Sequence, residues 1–120
     1  MNKKIAILLL TIVHWSGVQG QFTDNFSDGD FTANPGWGGD ERKFLIESEQ
    51  LRLVAPAETG SAFLVTPSEV IENAVWEFSV KLDFNPSASN LSYVYLTSDQ
   101  QDLTGTLNGY YVQLGGTDDD

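Results

Sequence analysis

Cysteine is absent from this chain of 120 residues. That excludes a disulfide framework, a thiolate nucleophile, and every zinc or iron–sulfur site built on thiolates. Histidine is almost absent: His14 stands alone, too little for a His-based metal centre. Positive charge is scarce, with 6 Lys and Arg against 17 Asp and Glu and a formal net charge of -11. Non-specific nucleic-acid binding needs clustered cations to displace phosphate counterions, so nucleic acid is excluded as a partner. Beyond residue 20, no stretch sustains the apolar period of a helix. What is present, 41% hydrophobic and 19% charged residues, suits a globular chain with one domain.

The first twenty residues read as an address. The chain opens MNKK, then IAILLLTIV, then HWSGVQG. Lys3 and Lys4 supply a positive start, and Ile5 to Val13 is a nine-residue run that is apolar apart from Thr11. Such a run suits a signal peptide and falls short of the roughly 20 residues a spanning helix needs. Val18 and Gly20 fit a small-residue cleavage site, so residues 1–20 are expected to be a signal peptide and 21–120 the domain, beginning at Gln21. No membrane span is expected after cleavage. The processed chain would keep 4 Lys and Arg against 17 acids, a net charge of -13. An acidic exported domain without cysteine fits a bacterial surface or medium better than a small disulfide-stapled eukaryotic scaffold.

Alternation dominates the rest. In Trp76-Glu77-Phe78-Ser79-Val80-Lys81-Leu82-Asp83-Phe84 every even position is large and apolar and every odd one polar. Successive side chains of a strand point to opposite faces, so Trp76, Phe78, Val80, Leu82 and Phe84 are expected to share a buried face. Lys43–Glu47 and Leu51–Ala55 read as a hairpin, Ala62–Thr66 as a short strand stopped by Pro67, and Leu91–Thr97 and Tyr110–Leu114 as strands rich in Tyr, Val and Leu. Gln21–Phe26 would open the fold. Asp28–Asp40 reads as a loop whose Phe31 and Trp37 fold back over one end of the core, with Trp37 also a candidate ligand-binding aromatic. Seven strands without helical crossovers predict an all-β antiparallel sandwich. The last strand is followed only by Gly-Gly-Thr-Asp-Asp-Asp, so Tyr110–Leu114 is expected to be an edge strand and the sandwich to be incomplete at its C-terminus, the start of a longer protein.

The strings FTDNFSDGDF, WGGDERKF, LRLVAP, VWEFSVKLDFNPSASN and YLTSDQQDLTGTLNGYYVQLGG cover nearly all of the mature chain. They resemble the N-terminal module of large exported bacterial surface proteins, which often carry a lamin-tail domain downstream. The resemblance implies a concanavalin A-like jelly roll, the fold also used by laminin G-like domains, and a cell-surface or secreted role in binding or adhesion.

Catalysis finds no machinery. Jelly-roll glycosidases set acids at alternate positions of one strand, and a retaining pair sits roughly 5–5.5 Å apart. On the Trp76 strand Glu77 and Asp83 would lie about 20 Å apart at ~3.3 Å per residue, with Ser79 and Lys81 between them. Glu47 and Glu49 fall at a hairpin turn, in water. After cleavage no histidine remains for a Ser–His pair. A non-catalytic binding module is therefore expected, with a polysaccharide or surface glycan as its partner. Tyr93 and Tyr95 share one sheet face, and Tyr111 with Gln113 would line up beside them on the neighbouring strand. Lys81 would extend the patch, and Val94, Leu96, Val112 and Leu114 would face the core. Tyrosines are also ordinary residues of a solvated sheet face, so a protein contact, a structural spacer in a multidomain surface protein, or an ancillary domain of a secreted hydrolase stand as alternatives.

No cofactor motif is present. Calcium is the one candidate, because Asp24, Asp28 and Asp30 cluster around Gly29 and hard cations take several oxygens. An EF-hand loop fails at Phe26. Structural calcium is also what the concanavalin A-like resemblance implies, and a solvated acidic loop is the plainer alternative.

Overall fold

The computed structural model describes residues 22–54, 57–69 and 72–117. The expected signal peptide, Gln21, Ala55 and Asp118–Asp120 lie outside the described residues.

Among the described residues six strands form three antiparallel two-stranded ladders. β1 (Gly38–Gly39) pairs with β4 (Leu64–Val65), β2 (Phe44–Glu47) with β3 (Gln50–Leu53), and β5 (Ser92–Ser98) with β6 (Gly109–Leu114). The one helical element among the described residues is the 3-10 turn Glu41–Lys43. The chain is thus β-rich and antiparallel, and no helix among the described residues is long and apolar enough to cross a membrane.

Each ladder closes for a local reason. β2 and β3 are joined by Ser48 and Glu49, at φ 54° and 59°. Positive φ at both central residues matches the right-handed twist of the flanking strands, which is what a two-residue hairpin needs. Cross-strand partners share a face, so the register puts Phe44 and Ile46 beside Leu53 and Leu51. The opposite face carries the Arg52–Glu47 ion pair. β1 can meet β4 because Gly39 has no side chain: at its φ of 139° a Cβ would lie 2.5 Å from the Phe63 carbonyl oxygen. Asp40 fastens the same junction. Its N–H donates to Phe63 O at 2.9 Å, and its Oδ2 accepts from Phe63 N at 3.1 Å.

β5 and β6 are joined by residues 99–108, closed at the neck by one acid–amide pair. Asn108 donates its backbone N–H to Asp99 Oδ1 and its side-chain Nδ2 to Asp99 Oδ2, both at 2.8 Å, and Asp99 N donates back to Asn108 O at 2.9 Å. The Asn108 side-chain amide, with its backbone N–H, holds the Asp99 carboxyl below the ordinary carboxylate range.

Two expected strands are not strands. Residues 22–26 carry no ladder, because side chains there take up the backbone donors. Asp24 Oδ1 accepts the Phe26 N–H at 2.9 Å and Asn25 Oδ1 accepts the Ser27 N–H at 3.1 Å. Side-chain acceptors two residues back offer the backbone a local alternative to a sheet. Trp76–Phe84 has no regular secondary structure either, and its apolar side chains are not buried: Trp76 is 43% exposed, Phe78 47%, Val80 45% and Phe84 39%. Alternation decides which side chains share a face, but a ladder also needs a second backbone to exchange hydrogen bonds with, and none of the described residues pairs with this segment. No side chain among the described residues is fully buried. Among the described residues the three ladders are the regular β units, and no buried apolar core joins them.

Candidate functional site

The aromatic face of β5–β6 follows from its register. Tyr95 pairs with Tyr111 and Tyr93 with Gln113, so these four side chains share one face. The rings of Tyr93 and Tyr111 are 5.1 Å apart and edge-on at 88°, those of Tyr95 and Tyr111 are 5.2 Å apart, and those of Tyr93 and Tyr95 are 6.1 Å apart. All three separations lie in the range where the negative face of one ring meets the positive edge of another. Two of the three rings remain open to solvent, Tyr93 at 45% and Tyr111 at 50%. Gln113 at the end of the patch donates its Nε2 to Gly115 O at 2.6 Å, which leaves its amide oxygen as an acceptor.

The other face is apolar. Val94 pairs with Val112 and Ser92 with Leu114. A register shift between Tyr95 and Thr97 leaves Leu96 without a partner, and Thr97 pairs with Tyr110. A bulge of this kind puts an extra residue on one strand and re-aims its neighbours. Leu96, Thr97 and Tyr110 then line, together with Trp76, a cleft of about 460 Å³. Trp76 therefore meets the hairpin on the side away from the Tyr93–Tyr95–Tyr111 patch. Tyr110 and Tyr111, adjacent in the chain, belong to opposite faces.

The other two candidate ligand-binding residues, Lys81 and Trp37, each have a polar partner of their own. Lys81 places its ammonium 2.9 Å from Asp83 Oδ1. That hydrogen bond keeps the Asp83 carboxyl below its ordinary range. Trp37 packs edge-on against Phe22, with ring centroids 6.1 Å apart, and tilted against Phe26 at 6.4 Å. Its indole N–H donates to Asp24 Oδ2 at 2.8 Å and its backbone N–H to Phe31 O at 2.7 Å. Trp37 organises the N-terminal loop and is not part of the tyrosine face.

The acidic cluster also has local work. Asp24 uses one oxygen for Phe26 N and the other for Trp37 Nε1. With these contacts it holds Phe26 at φ 55°, a left-handed conformation that a bulky side chain rarely takes. Asp28 Oδ1 accepts from Asp30 N at 3.1 Å, and Asp30 Oδ1 accepts from Thr32 N at 2.7 Å and Thr32 Oγ1 at 2.8 Å. The Thr32 backbone N–H, then its hydroxyl, lower the Asp30 carboxyl below its usual range. The three carboxylates point to successive turns of backbone, and no group of three His, Cys, Asp or Glu gathers as metal ligands among the described residues. Sequence reasoning missed this capping role. Its signal is an Asp followed two residues later by a hydroxyl residue or a turn amide, and it recurs at Asp102, whose Oδ1 accepts from Thr104 N and Oγ1 at 2.9 and 2.6 Å.

These features define a class: a small antiparallel β chain that displays one aromatic sheet face and caps its loops with carboxylates. No family model, curated protein or solved structure matches the chain.

Proposed function

We propose that this chain is an exported, non-catalytic binding module of the bacterial cell surface or medium, with a concanavalin A-like sandwich as its fold and a carbohydrate as its ligand. The observation that supports this most is the three-ring face of Tyr93, Tyr95 and Tyr111, with the Gln113 amide at its end. A sugar ring presents a face of C–H groups with partial positive charge, and this lies well on the negative face of an aromatic ring. Its hydroxyls need acceptors and donors nearby, which the tyrosine hydroxyls and the Gln113 oxygen supply. The leader at residues 1–20 supports export, with Gln21 as the mature start. A structural spacer is the second reading, favoured by the tilted, mutually packed rings, which satisfy one another without a ligand.

Glycan-array binding of the secreted chain, beside a Tyr93→Ala, Tyr95→Ala double variant, separates the two. Binding by the parent that the double variant loses supports the carbohydrate module. A folded parent that binds nothing across the array leaves the spacer.

A further inference from the structure

Charge narrows the ligand of the tyrosine face. The described residues hold four cations, Arg42, Lys43, Arg52 and Lys81. Three of them are already matched by acids: Lys43 by Asp40 at 3.7 Å, Arg52 by Glu47, and Lys81 by Asp83 at 2.9 Å. Arg42, the one described cation without an ion pair, sits in the 3-10 turn Glu41–Lys43, not on β5 or β6. The tyrosine face carries Tyr93, Tyr95, Tyr111 and Gln113, with Ser98 opposite Gly109 beyond the bulge, so its polar groups are hydroxyls and an amide. The whole chain bears 17 acids against 6 basic residues, and two of those acids, Asp99 and Asp102, lie in the loop that joins the two strands.

An anionic ligand needs charge-assisted donors to replace its water, and Arg or Lys ordinarily supplies them. Here it would find none on the face and would approach against the field of a strongly acidic protein. Like charges brought together at an interface cost several-fold to many-fold in affinity, most at low salt. An uncharged sugar meets neither penalty, and its C–H faces and hydroxyls match the groups present.

Resting on the carbohydrate reading above, we infer that the tyrosine face selects uncharged polysaccharides and rejects uronate-, sulfate- or phosphate-bearing ones. Selection comes from the absence of any cation on that face combined with the acidity of the surrounding chain.

Affinity electrophoresis of the full chain tests this. One set of gels holds uncharged glucans, mannans, xylans or galactans, and the other polyuronates or sulfated polymers, each run at low salt and at about 150 mM salt. The expected result is retardation by at least one uncharged polymer, equal at the two salts, and none by the anionic set. Carboxymethylation of the polymer that binds should weaken it by about tenfold or more at low salt, with part of the loss recovered at the higher salt. Retardation by anionic polymers equal to or stronger than by uncharged ones overturns the inference and leaves the carbohydrate reading standing. Retardation by neither set, with the protein folded, overturns the carbohydrate reading and this inference with it.

Discussion

The β5–β6 hairpin and the segment from Trp76 to Phe84 are both built by alternating apolar and polar side chains, yet only one of them closes a ladder. In the hairpin, two strands of matching length are brought together by a neck in which Asp99 satisfies Asn108 twice. Each residue of β5 then has a partner on β6 except Leu96 at the bulge. In the segment the alternation is stricter, but it forms no ladder with any described strand, and its apolar face stays between 39% and 47% exposed at Trp76, Phe78, Val80 and Phe84. Amphipathicity fixes faces. Pairing depends on a second strand being delivered at the right distance, and here a turn delivers it.

The neck of the hairpin should be the place most easily damaged. A Cβ on Gly109 would run into the Thr97 carbonyl oxygen and lie 3.2 Å from Ser98 Cα. Gly109→Ala is expected to cost about 1–3 kcal/mol, the usual range for overpacking a close contact. Gly105, in the loop of the same hairpin, has open space around it, and Gly105→Ala should be close to neutral in denaturant titration. Equal effects at the two sites would break the claim that backbone approach at the neck defines this unit.

Next in size is Trp37→Phe. It removes the donor to Asp24 Oδ2 while keeping an aromatic ring against Phe22 and Phe26. Loss of a hydrogen bond to a charged acceptor predicts about 1–2 kcal/mol, read by urea unfolding. It should leave glycan binding untouched, since Trp37 lies off the tyrosine face.

Phe78→Ala sharpens the comparison from the other side. A fully buried phenylalanine costs ~3–5 kcal/mol to truncate, but with 47% of Phe78 in water the expected cost is about 1 kcal/mol or less. A measured loss in the full buried range would mean that Trp76–Phe84 is a core strand after all, paired with chain not among the described residues.

The smallest effect is one of pH. Asp99 is more acidic folded than unfolded, because Asn108 donates to its carboxylate. Its contribution is therefore complete above the unfolded carboxylate pKa of about 3.9 and is lost as pH falls through the lower folded value. Asp102, lowered first by the Thr104 hydroxyl and then by the Thr104 N–H, follows the same direction. NMR titration should show the loop amides of 99–108 shifting below pH ~4, with the Asp99→Asn variant losing that shift at Asn108.

Several elements were legible from residues alone because their signal is local. The β2–β3 hairpin, the β5 and β6 strands and the shared face of Tyr93, Tyr95 and Tyr111 follow from period-two patterns in short segments. The two-residue turn at Ser48–Glu49 was less visible, since neither residue is the glycine or asparagine that positive φ favours. The capping work of Asp24, Asp28 and Asp30 was hidden for a different reason. Composition counts an acid as charge, whereas here each carboxylate is spent on a backbone N–H two residues on. Trp37 was expected to fold back within its loop, and it does so against Phe22 and Phe26, but its indole partner Asp24 was not legible from residue type; nor was the pairing of Lys81 with Asp83.

On the proposed function one face of β5–β6 binds sugar and the other does not, and the neighbouring residues Tyr110 and Tyr111 separate the two. Tyr111 lies in the three-ring patch, whereas Tyr110, 77% exposed, lies on the face with Leu96, Thr97 and Trp76. Calorimetric titration of an uncharged polysaccharide into the Tyr111→Ala and Tyr110→Ala variants, each checked for folding by circular dichroism, should show binding weakened by about tenfold or more in the first, some 1.4 kcal/mol, and unchanged in the second. Equal weakening in both variants, or weakening only in Tyr110→Ala, would contradict the account.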